Sequence, residues 1–462
     1  MHWYRSLTTA QRRILASMAV ALVAVVGLLG WSVWSTLQAP ATLSPVQSPL
    51  ADDSVLPTPT AFHTPTVTPT PTPTATPQFD LSRAGIVAGQ VADARQSASR
   101  WGTPLTIVDD AAMAQAIYGH YRRWEPLVLR HQILFEALHL WSWDSLRLDA
   151  VGQGEQTAAF YAPEVEELYL RQDWTGPLDQ LETQLAYGYA RPLPDQYGDL
   201  VKLVEEAPSL DRRLAVTAVA EGDALVSALL TRGIEPGGPG SRSVTDVVLR
   251  AVCPKWQIED SLLDTLSCLS FRLGADFAIR RYLDGGIEAL DETVLRPPRS
   301  TAQLLDPERY VDFHEPQVLV PLDVGLGQDW VLTATETLGQ ALLRIVLTTW
   351  SDGAAEDDAI TGWEGDLLQV WQGPEESSLV VWQTEWDEAM TAARFYGTMI
   401  ELLPRPLVRG LIRDKTAAPA LPRGRWWSGR QGAVFLYRRS HSVWVIWSDD
   451  AAAVESAAIG IP

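Results

Sequence analysis

The 462-residue sequence has few lysines and few of the cysteine and histidine side chains that usually bind zinc. It has no asparagine, three lysines, two cysteines and seven histidines, and its formal net charge is −21. Nucleic acids and anionic lipid surfaces are bound through clustered lysine and arginine side chains. The acidic balance therefore argues against both as partners. Two cysteines cannot by themselves complete a structural zinc site, which takes four ligands.

Sequence motifs of the common hydrolases and nucleotide-binding proteins are also missing. No Gly-x-Ser-x-Gly or Ser-x-x-Lys sequence occurs, and the glycine-rich stretch 236–240 lacks the Lys-Ser/Thr pair of a phosphate-binding loop. His314-Glu315 is followed by Pro316 and has no second histidine four residues on. His131 and His139 are eight residues apart, too far to chelate one ion from a helix. We expect polar or core roles for the histidines.

A hydrophobic segment near the N-terminus predicts one membrane-spanning helix. Residues 14–37 carry no charge and exceed the roughly 20 residues that cross a bilayer. Three arginines precede the segment and the next basic residue is Arg83, which predicts a cytoplasmic N-terminus and an external remainder. A cleaved signal peptide is the alternative, with a weak site at 39–41. The segment is longer than the about 7–15 apolar residues of a signal peptide, which favours an uncleaved anchor.

Residues 38–79 have the composition of an extended stalk. Threonine and proline alternate through 64–73, and almost no large apolar residue is available to form a core. Proline-rich chains extend by about 3.1 Å per residue, so the stalk could hold a domain on the order of 100 Å from the membrane.

The two cysteines, Cys253 and Cys268, leave two possibilities. Outside the membrane a disulfide is allowed, and the segment between them is long enough to close a loop. The alternative is a pair of buried thiols. We favour the disulfide.

Hydrophobic spacing predicts a mainly helical region followed by a smaller mixed region. In the first region we expect helices over 80–99, 118–143, 178–191 and 209–232, with a β-hairpin formed by 157–161 and 167–171. In the second we expect helices over 338–350 and 385–403 and strands over 367–371, 379–382, 434–437 and 443–447. Eight tryptophans crowd this second region, and we interpret them as core residues rather than as a carbohydrate-stacking face.

The stretch Gln184–Gln196 carries the most informative pattern in the chain. It reads Gln-Leu-Ala-Tyr-Gly-Tyr-Ala-Arg-Pro-Leu-Pro-Asp-Gln and resembles the active-site helix of membrane-anchored bacterial zinc peptidases with a His-Glu-x-x-His motif. In such a motif two histidines on one helix face bind zinc, and the glutamate activates a water molecule. Tyr187, Gly188 and Arg191 stand here at the positions of the first histidine, the glutamate and the second histidine. None of these side chains can do the same chemistry.

The resemblance extends downstream of this helix. Glu221-Gly222-Asp223-Ala224 lies about thirty residues further on, where the family supplies its third zinc ligand, and Glu221 matches that ligand. Phe271, Gly274 and Phe277 resemble a Phe-x-x-Gly-x-x-Phe helix of the family. The turn 284–286 and the segment 296–310 resemble further family segments. The resemblance covers about residues 100–400 and implies a zincin-like fold that has lost its metal.

Together these patterns predict an α+β protein made of a mainly helical zincin-like domain with a small β-hairpin, then a smaller α+β sheet module. The expected parts are a cytoplasmic tail (1–13), a transmembrane helix (14–37), a stalk (38–79), the degenerate zincin-like domain (80–312) and the C-terminal module (313–462). The resemblance implies an anchored extracytoplasmic pseudopeptidase with no catalytic residue, no metal and no cofactor. Its partners would be the membrane and an unidentified extracytoplasmic protein or wall ligand. The alternatives are an active hydrolase with a non-standard site and a surface protein that binds cell wall or carbohydrate.

Loss of the metal predicts a specific replacement for its charge. If the helices that once shared zinc still face each other, Glu221 would be a buried anion without its cation, at a cost of several kcal/mol. The planar guanidinium of Arg191 offers a fork that suits a carboxylate. We therefore expect a contact between Arg191 and Glu221, with Tyr187 filling the vacated volume.

The predicted orientation is tested by adding protease to intact spheroplasts. Cleavage should fall between Pro40 and Gln78, because the stalk is exposed and unable to form a core. It should release the C-terminal part from the cells. Full protection of that part, while a known external protein is digested, would show that the orientation is wrong.

Overall fold

The structure is a computed structural model. It describes residues 81–96, 102–122, 131–140, 157–253, 262–351, 357–404, 407, 412–413 and 423–461. The chain divides into the units Met1–Pro73 and Thr74–Pro462, and every described residue belongs to the second unit. The predicted anchor (14–37) and stalk (38–79) lie outside the described residues.

The described residues form a mixed α+β structure, as predicted. The helices are α1 (Leu81–Arg95), α2 (Asp110–Arg122), α3 (Gln132–Ala137), α4 (Leu178–Ala190), α5 (Pro192–Gly198), α6 (Leu200–Glu205), α7 (Leu210–Thr231), α8 (Ser241–Val252), α9 (Leu262–Leu295), α10 (Thr301–Leu305), α11 (Pro307–Val311), α12 (Gly339–Trp350), α13 (Ala389–Leu402) and α14 (Ala451–Ile459). The strands are β1 (Leu105–Val108), β2 (Ala159–Ala162), β3 (Glu167–Arg171), β4 (Val331–Glu336), β5 (Trp363–Gln372), β6 (Ser378–Trp386), β7 (Ile412–Arg413), β8 (Arg425–Gly429), β9 (Gly432–Arg439) and β10 (Ser442–Ser448).

A small sheet contains the predicted hairpin. Strands β2 and β3 pair antiparallel, and β1 adds a parallel strand on the other side of β3, giving the order β1-β3-β2. Strand β1 is not predicted from the sequence. Two backbone N–H groups, those of Ala158 and Ala159, donate to the buried side chain of Gln184, at 2.6 Å for Ala158. Gln184 lies on α4, which is called the motif helix below because it carries Tyr187 and Gly188. These bonds therefore hold the hairpin against the motif helix.

Helices α7 and α9 cross with their backbones in contact. A Cβ atom added at Gly222 would lie 2.1 Å from the carbonyl oxygen of Gly274, and one at Gly274 would lie 2.0 Å from that of Ala218. Only glycine permits this approach. These are the glycines of the Glu-Gly-Asp-Ala and Phe-x-x-Gly-x-x-Phe patterns, so both patterns serve one helix crossing. The crossing fixes the position of Glu221, one residue away.

The predicted helix over 118–143 is wrong as a single element. Helix α2 begins at Asp110, and α3 begins at Gln132 with His131 as its N-cap residue and ends at Ala137. His139 then adopts a positive φ of 55°, which is incompatible with helix. Ser209 is the N-cap residue of α7 as expected, and its hydroxyl accepts a hydrogen bond from the Arg212 N–H. The predicted helix over 385–403 is shorter, since β6 runs on to Trp386.

The C-terminal sheet has seven strands in the order β4-β5-β6-β10-β9-β8-β7, with every neighbouring pair antiparallel. Both of its faces are covered. Trp444 packs in the cluster beneath α14, whereas Trp447 packs against the larger cluster formed with α12 and α13. The two tryptophans therefore face opposite sides, as their odd spacing predicts, and both lie in contact with a core.

A single hydrophobic cluster joins the sheet to the helical region. It contains Leu214 of α7, Phe277 of α9 and Leu342 of α12 together with Trp382 of β6. Side chains from both sides of residue 313 thus share one core.

Three buried carboxylates bind helix N-termini at this junction. Asp211 accepts from the backbone N–H of Thr301, and Asp366 accepts from those of Leu338 and Gly339. Glu336 accepts from the N–H of Leu210 and also contacts His131 at 2.7 Å. The positive ends of α7, α10 and α12 are therefore satisfied by carboxylates from elsewhere in the chain.

Helix α7 is the one described helix with the length and hydropathy to cross a bilayer. Most of its residues are buried inside the protein. It packs as the central helix of the core. A buried core helix passes the same test of length and composition as a membrane-spanning helix.

Because the carboxylates at the junction have raised pKa values, we expect the free energy of unfolding to fall as pH rises. Burial raises the pKa of Asp211 to about 7 and that of Asp366 to about 6, from a usual value of 3.8. The folded state binds these protons more tightly than the unfolded state, so the stabilisation is complete below pH 4 and is lost as pH rises through 6 to 7. Asp211→Asn keeps the acceptor oxygen but cannot ionise.

We expect the wild-type free energy of unfolding to fall by a few kcal/mol between pH 5 and pH 8, and Asp211→Asn to reduce this fall. Chemical denaturation at four pH values measures both. Asp173→Asn changes an exposed aspartate and should leave the slope unchanged. Equal slopes for wild type and Asp211→Asn would contradict the prediction.

Candidate functional site

The predicted contact between Arg191 and Glu221 is present. Nη2 of Arg191 lies 2.8 Å from Oε1 of Glu221, and the hydroxyl of Tyr187 donates to Oε2 of the same carboxylate. Tyr187 and Arg191 are four residues apart and project from one face of the motif helix, where α4 ends. Both side chains converge on Glu221, which lies on α7. Three of the four predicted site positions therefore meet at one point.

This cluster is mostly buried. The side chains of Arg191 and Glu221 are 13% and 16% exposed. Burial by itself lowers the pKa of Arg191, but the combined attraction of Glu221, Tyr187 and Tyr161 outweighs burial and raises the pKa above its usual value. Tyr187 packs edge-on against Phe271, with ring centroids 6.2 Å apart. The arginine remains a cation and the tyrosine ring occupies space beside it.

Gly188, the fourth predicted position, packs against the small sheet. A Cβ atom there would lie 2.5 Å from a methyl group of Leu168 on β3. A glutamate at this position would require Leu168 to move. The glycine therefore has a packing role between α4 and β3.

The second carboxylate of the Glu-Gly-Asp-Ala segment has a different partner. Asp223 is 1% exposed and lies 2.9 Å from Arg95, which also contacts Asp291 at 2.7 Å. This ion pair binds α1 to α7. Burial raises the pKa of Asp223, and the charges of Arg95 and, more weakly, Arg191 oppose that rise. The direct contact of Asp223 is therefore with Arg95, and Arg191 acts on it only through its charge.

Two adjoining cavities meet at Arg191 and Glu221. The smaller, of about 40 Å³, lies against Gln184 and Phe271. The larger, of about 210 Å³, extends between α6 and α7. Its apolar wall is formed by Leu200, Val201, Val204, Val216 and Ala220. The result is an apolar groove that ends at an arginine–glutamate pair.

His120 also lines both cavities, and the sequence analysis did not identify it as a site residue. Its Nδ1 lies 3.1 Å from Oε2 of Glu164, and its ring packs edge-on against Phe160. Helix α2 places His120 there. No sequence signal marks this role, because His120 is 67 residues before Tyr187 and no motif surrounds it.

Within the described part of the chain, no three His, Cys, Asp or Glu side chains come close enough to hold a metal ion. Of the four predicted positions, Glu221 is the one with a metal-ligating carboxylate. Its oxygens are engaged by Arg191 and Tyr187. A zinc ion at this point would have to displace the guanidinium of Arg191.

The favoured disulfide is present. Cys253, directly after α8, is bonded to Cys268 of α9, with the Cα atoms 5.3 Å apart. The bond links α8, which lines the smaller cavity, to the helix that packs across α7.

The C-terminal tryptophans are core residues. Trp363, Trp382 and Trp386 are among the largest fully buried side chains, and Trp426 and Trp427 are less than 10% exposed. Trp371 and Trp447 are half-buried. Six of the eight rings are therefore buried, and Trp371 and Trp447 pack against the core clusters with part of their surface exposed.

Comparison with known proteins identifies one segment of the chain. Residues 330–458 match the family model of a domain of unknown function, DUF8575. The match covers the seven-stranded sheet with α12 and α13 and does not include the Arg191 cluster. No curated protein and no solved structure matches the chain significantly.

Removing Arg191 should destabilise the fold. Arg191→Ala would leave Glu221 buried without a cation, and breaking one side of a buried pair costs about 3–5 kcal/mol. We expect the lower end, since both side chains retain some exposure. Adding Glu221→Gln removes the uncompensated charge and keeps an acceptor for Tyr187, so the double variant should recover part of the loss.

Thermal and chemical unfolding of the full-length chain measure both effects. The matched control is Arg242→Ala, which removes an exposed arginine on α8 and should be nearly silent. A thermally silent Arg191→Ala would contradict the role assigned to the pair.

Proposed function

We propose that the chain is an anchored extracytoplasmic pseudopeptidase, a zincin-like domain that has lost its metal and acts by binding or as a scaffold. The observation that carries the proposal is the position of Arg191. Its guanidinium contacts Glu221 at 2.8 Å, where the resemblance calls for a zinc ion between the motif helix and the third ligand. A fixed side-chain cation thus stands where an exchangeable one would be.

Two further observations support this proposal. The hairpin lies directly against the motif helix through Gln184, an order that resembles the peptidase family. The two glycines of the downstream patterns meet at one helix crossing, so these patterns have a common structural cause. Localisation in the cell membrane, with the N-terminus inside, rests on residues 14–37.

The competing proposal of an active hydrolase predicts a bound metal or chelator-sensitive cleavage. We expect the purified full-length chain to retain no stoichiometric zinc after dialysis and to leave casein and peptide libraries uncut. Elemental analysis and the cleavage assay, each with and without added zinc, measure this. Stoichiometric zinc or cleavage abolished by a chelator would refute the pseudopeptidase proposal.

The proposed zincin-like geometry can be tested by introducing the two histidine zinc ligands that the chain lacks. Combining Tyr187→His with Arg191→His places two histidines four residues apart, facing Glu221 as a third ligand. Gly188 is kept, because a larger side chain there would strike Leu168.

We expect this double variant to bind about one zinc ion per chain, and the further change Glu221→Gln to weaken that binding. Zinc content after dialysis and zinc-dependent thermal stabilisation are the readouts. A folded double variant with no affinity for zinc would contradict the zincin-like arrangement.

A further inference from the structure

Helix α1 is a surface helix that is held to the core by one narrow face. Its buried side chains recur every three or four residues and are Ala84, Val87, Val91 and Arg95. The positions between them are exposed or half-buried. Val87 and Val91 pack in the apolar cluster that also contains side chains of α4 and α7. Helix α1 therefore lies against the two helices that carry the candidate site.

The C-terminal end of α1 is attached by an incomplete buried ion pair. Nη2 of Arg95 contacts Oδ1 of Asp223 on α7 at 2.9 Å and Oδ1 of Asp291 on α9 at 2.7 Å. Within the described part of the chain, Nε and Nη1 of Arg95 and Oδ2 of Asp223 are buried without a hydrogen bond. A fully formed pair of arginine and carboxylate uses two parallel hydrogen bonds. This contact therefore neutralises charge but leaves three buried polar atoms unsatisfied.

These unsatisfied atoms weaken the attachment of α1. A buried donor or acceptor without a partner has lost its hydrogen bonds to water and has gained none in exchange. When α1 leaves α7, the guanidinium of Arg95 regains water and the carboxylate of Asp223 is uncovered on the side where α1 lay. The other ion pair of α1, between Arg83 and Glu182 at 3.3 Å, has an exposed arginine and contributes little. Glu182 also contacts Arg232 at 2.6 Å, so it keeps a cation when Arg83 moves away.

We propose that α1 is a detachable strap, which opens as a unit while the remaining helices stay folded. Segments with few buried contacts open in this way. Opening removes the cation from Asp223, two residues after Glu221, so the charge of Arg191 then acts on two uncompensated carboxylates of one α7 turn. The chain enters the described region through α1, so a pull or a binding event before Leu81 acts on the strap first. The inference does not depend on the zincin-like resemblance.

Hydrogen exchange of the full-length chain, followed by mass spectrometry of overlapping peptides, tests the strap. We expect the amides of residues 85–95 to exchange together, at least about tenfold faster than those in the middle of α7. Equal exchange rates in α1 and α7 would show that α1 opens only with the whole helical region and would overturn the proposal. A gradual rise in protection from the ends of α1 to its centre would indicate fraying, and would overturn it as well.

Three variants test the role of the buried pair. Arg95→Met combined with Asp223→Leu replaces the pair by apolar side chains of similar shape and removes all three unsatisfied atoms, while Asp291 is 56% exposed and keeps its water. We expect α1 in this double variant to exchange about tenfold more slowly than in the wild type. Arg95→Met alone leaves Asp223 buried without its cation and should speed the exchange of α1. Arg83→Ala is the matched control on the same helix and should change the exchange rate by less than about twofold.

Unchanged or faster exchange of α1 in a folded Arg95→Met/Asp223→Leu variant would overturn the proposal, because the unsatisfied atoms would then not control the opening. Faster exchange in Arg83→Ala than in Arg95→Met would place the attachment at the other end of the helix, with the same consequence. None of these results depends on zinc content or peptide cleavage. The strap and the pseudopeptidase proposal can therefore fail separately.

Discussion

The buried carboxylates at the junction of the helical region and the seven-stranded sheet are the constraint on which the rest of the structure depends. Asp211, Glu336 and Asp366 each accept backbone N–H groups at the start of a helix from another part of the chain. An unsatisfied buried N–H costs about as much as a lost hydrogen bond. The N-termini of the three helices can therefore lie buried at this junction only if the carboxylates accept their N–H groups. Burial, and to a smaller extent repulsion from the neighbouring carboxylates, raises the pKa values of Asp211 and Asp366.

This junction also positions the candidate site. Helix α7 begins at the carboxylates, is held at its middle by the contact of Gly222 with Gly274, and presents Glu221 beside that contact. Arg191 meets Glu221 from the end of α4. Because a side chain cannot dissociate, the cation beside Glu221 is permanent.

The DUF8575 match and the structure divide the chain differently. The match begins at residue 330, yet the core that contains Trp382 of this segment also contains Leu214 and Phe277 from the helical region. Hydrophobic surface on one face of the sheet is covered by helices that the match does not include. In this protein the DUF8575 segment and the helical region pack against each other. The N-terminus of α7 is bound by Glu336 from the DUF8575 segment, and that of α10 is bound by Asp211 beside this contact.

The sequence by itself determined the local features. Periodicity gave the hairpin, the motif helix and most of the C-terminal strands, and the Ser209 cap marked the start of α7, because each of these depends on neighbouring residues. It also determined that Arg191 and Glu221 could satisfy each other if brought together, since a buried carboxylate needs a cation or hydrogen-bond donors. The long helix over 118–143 failed because the positive φ of His139 has no strong sequence signal. Only the tertiary structure decided that His120 reaches the cleft, that Gly188 packs on Leu168 and that Asp223 pairs with Arg95. These contacts join residues far apart in the chain, and their geometry is set by how helices and strands pack rather than by any local pattern.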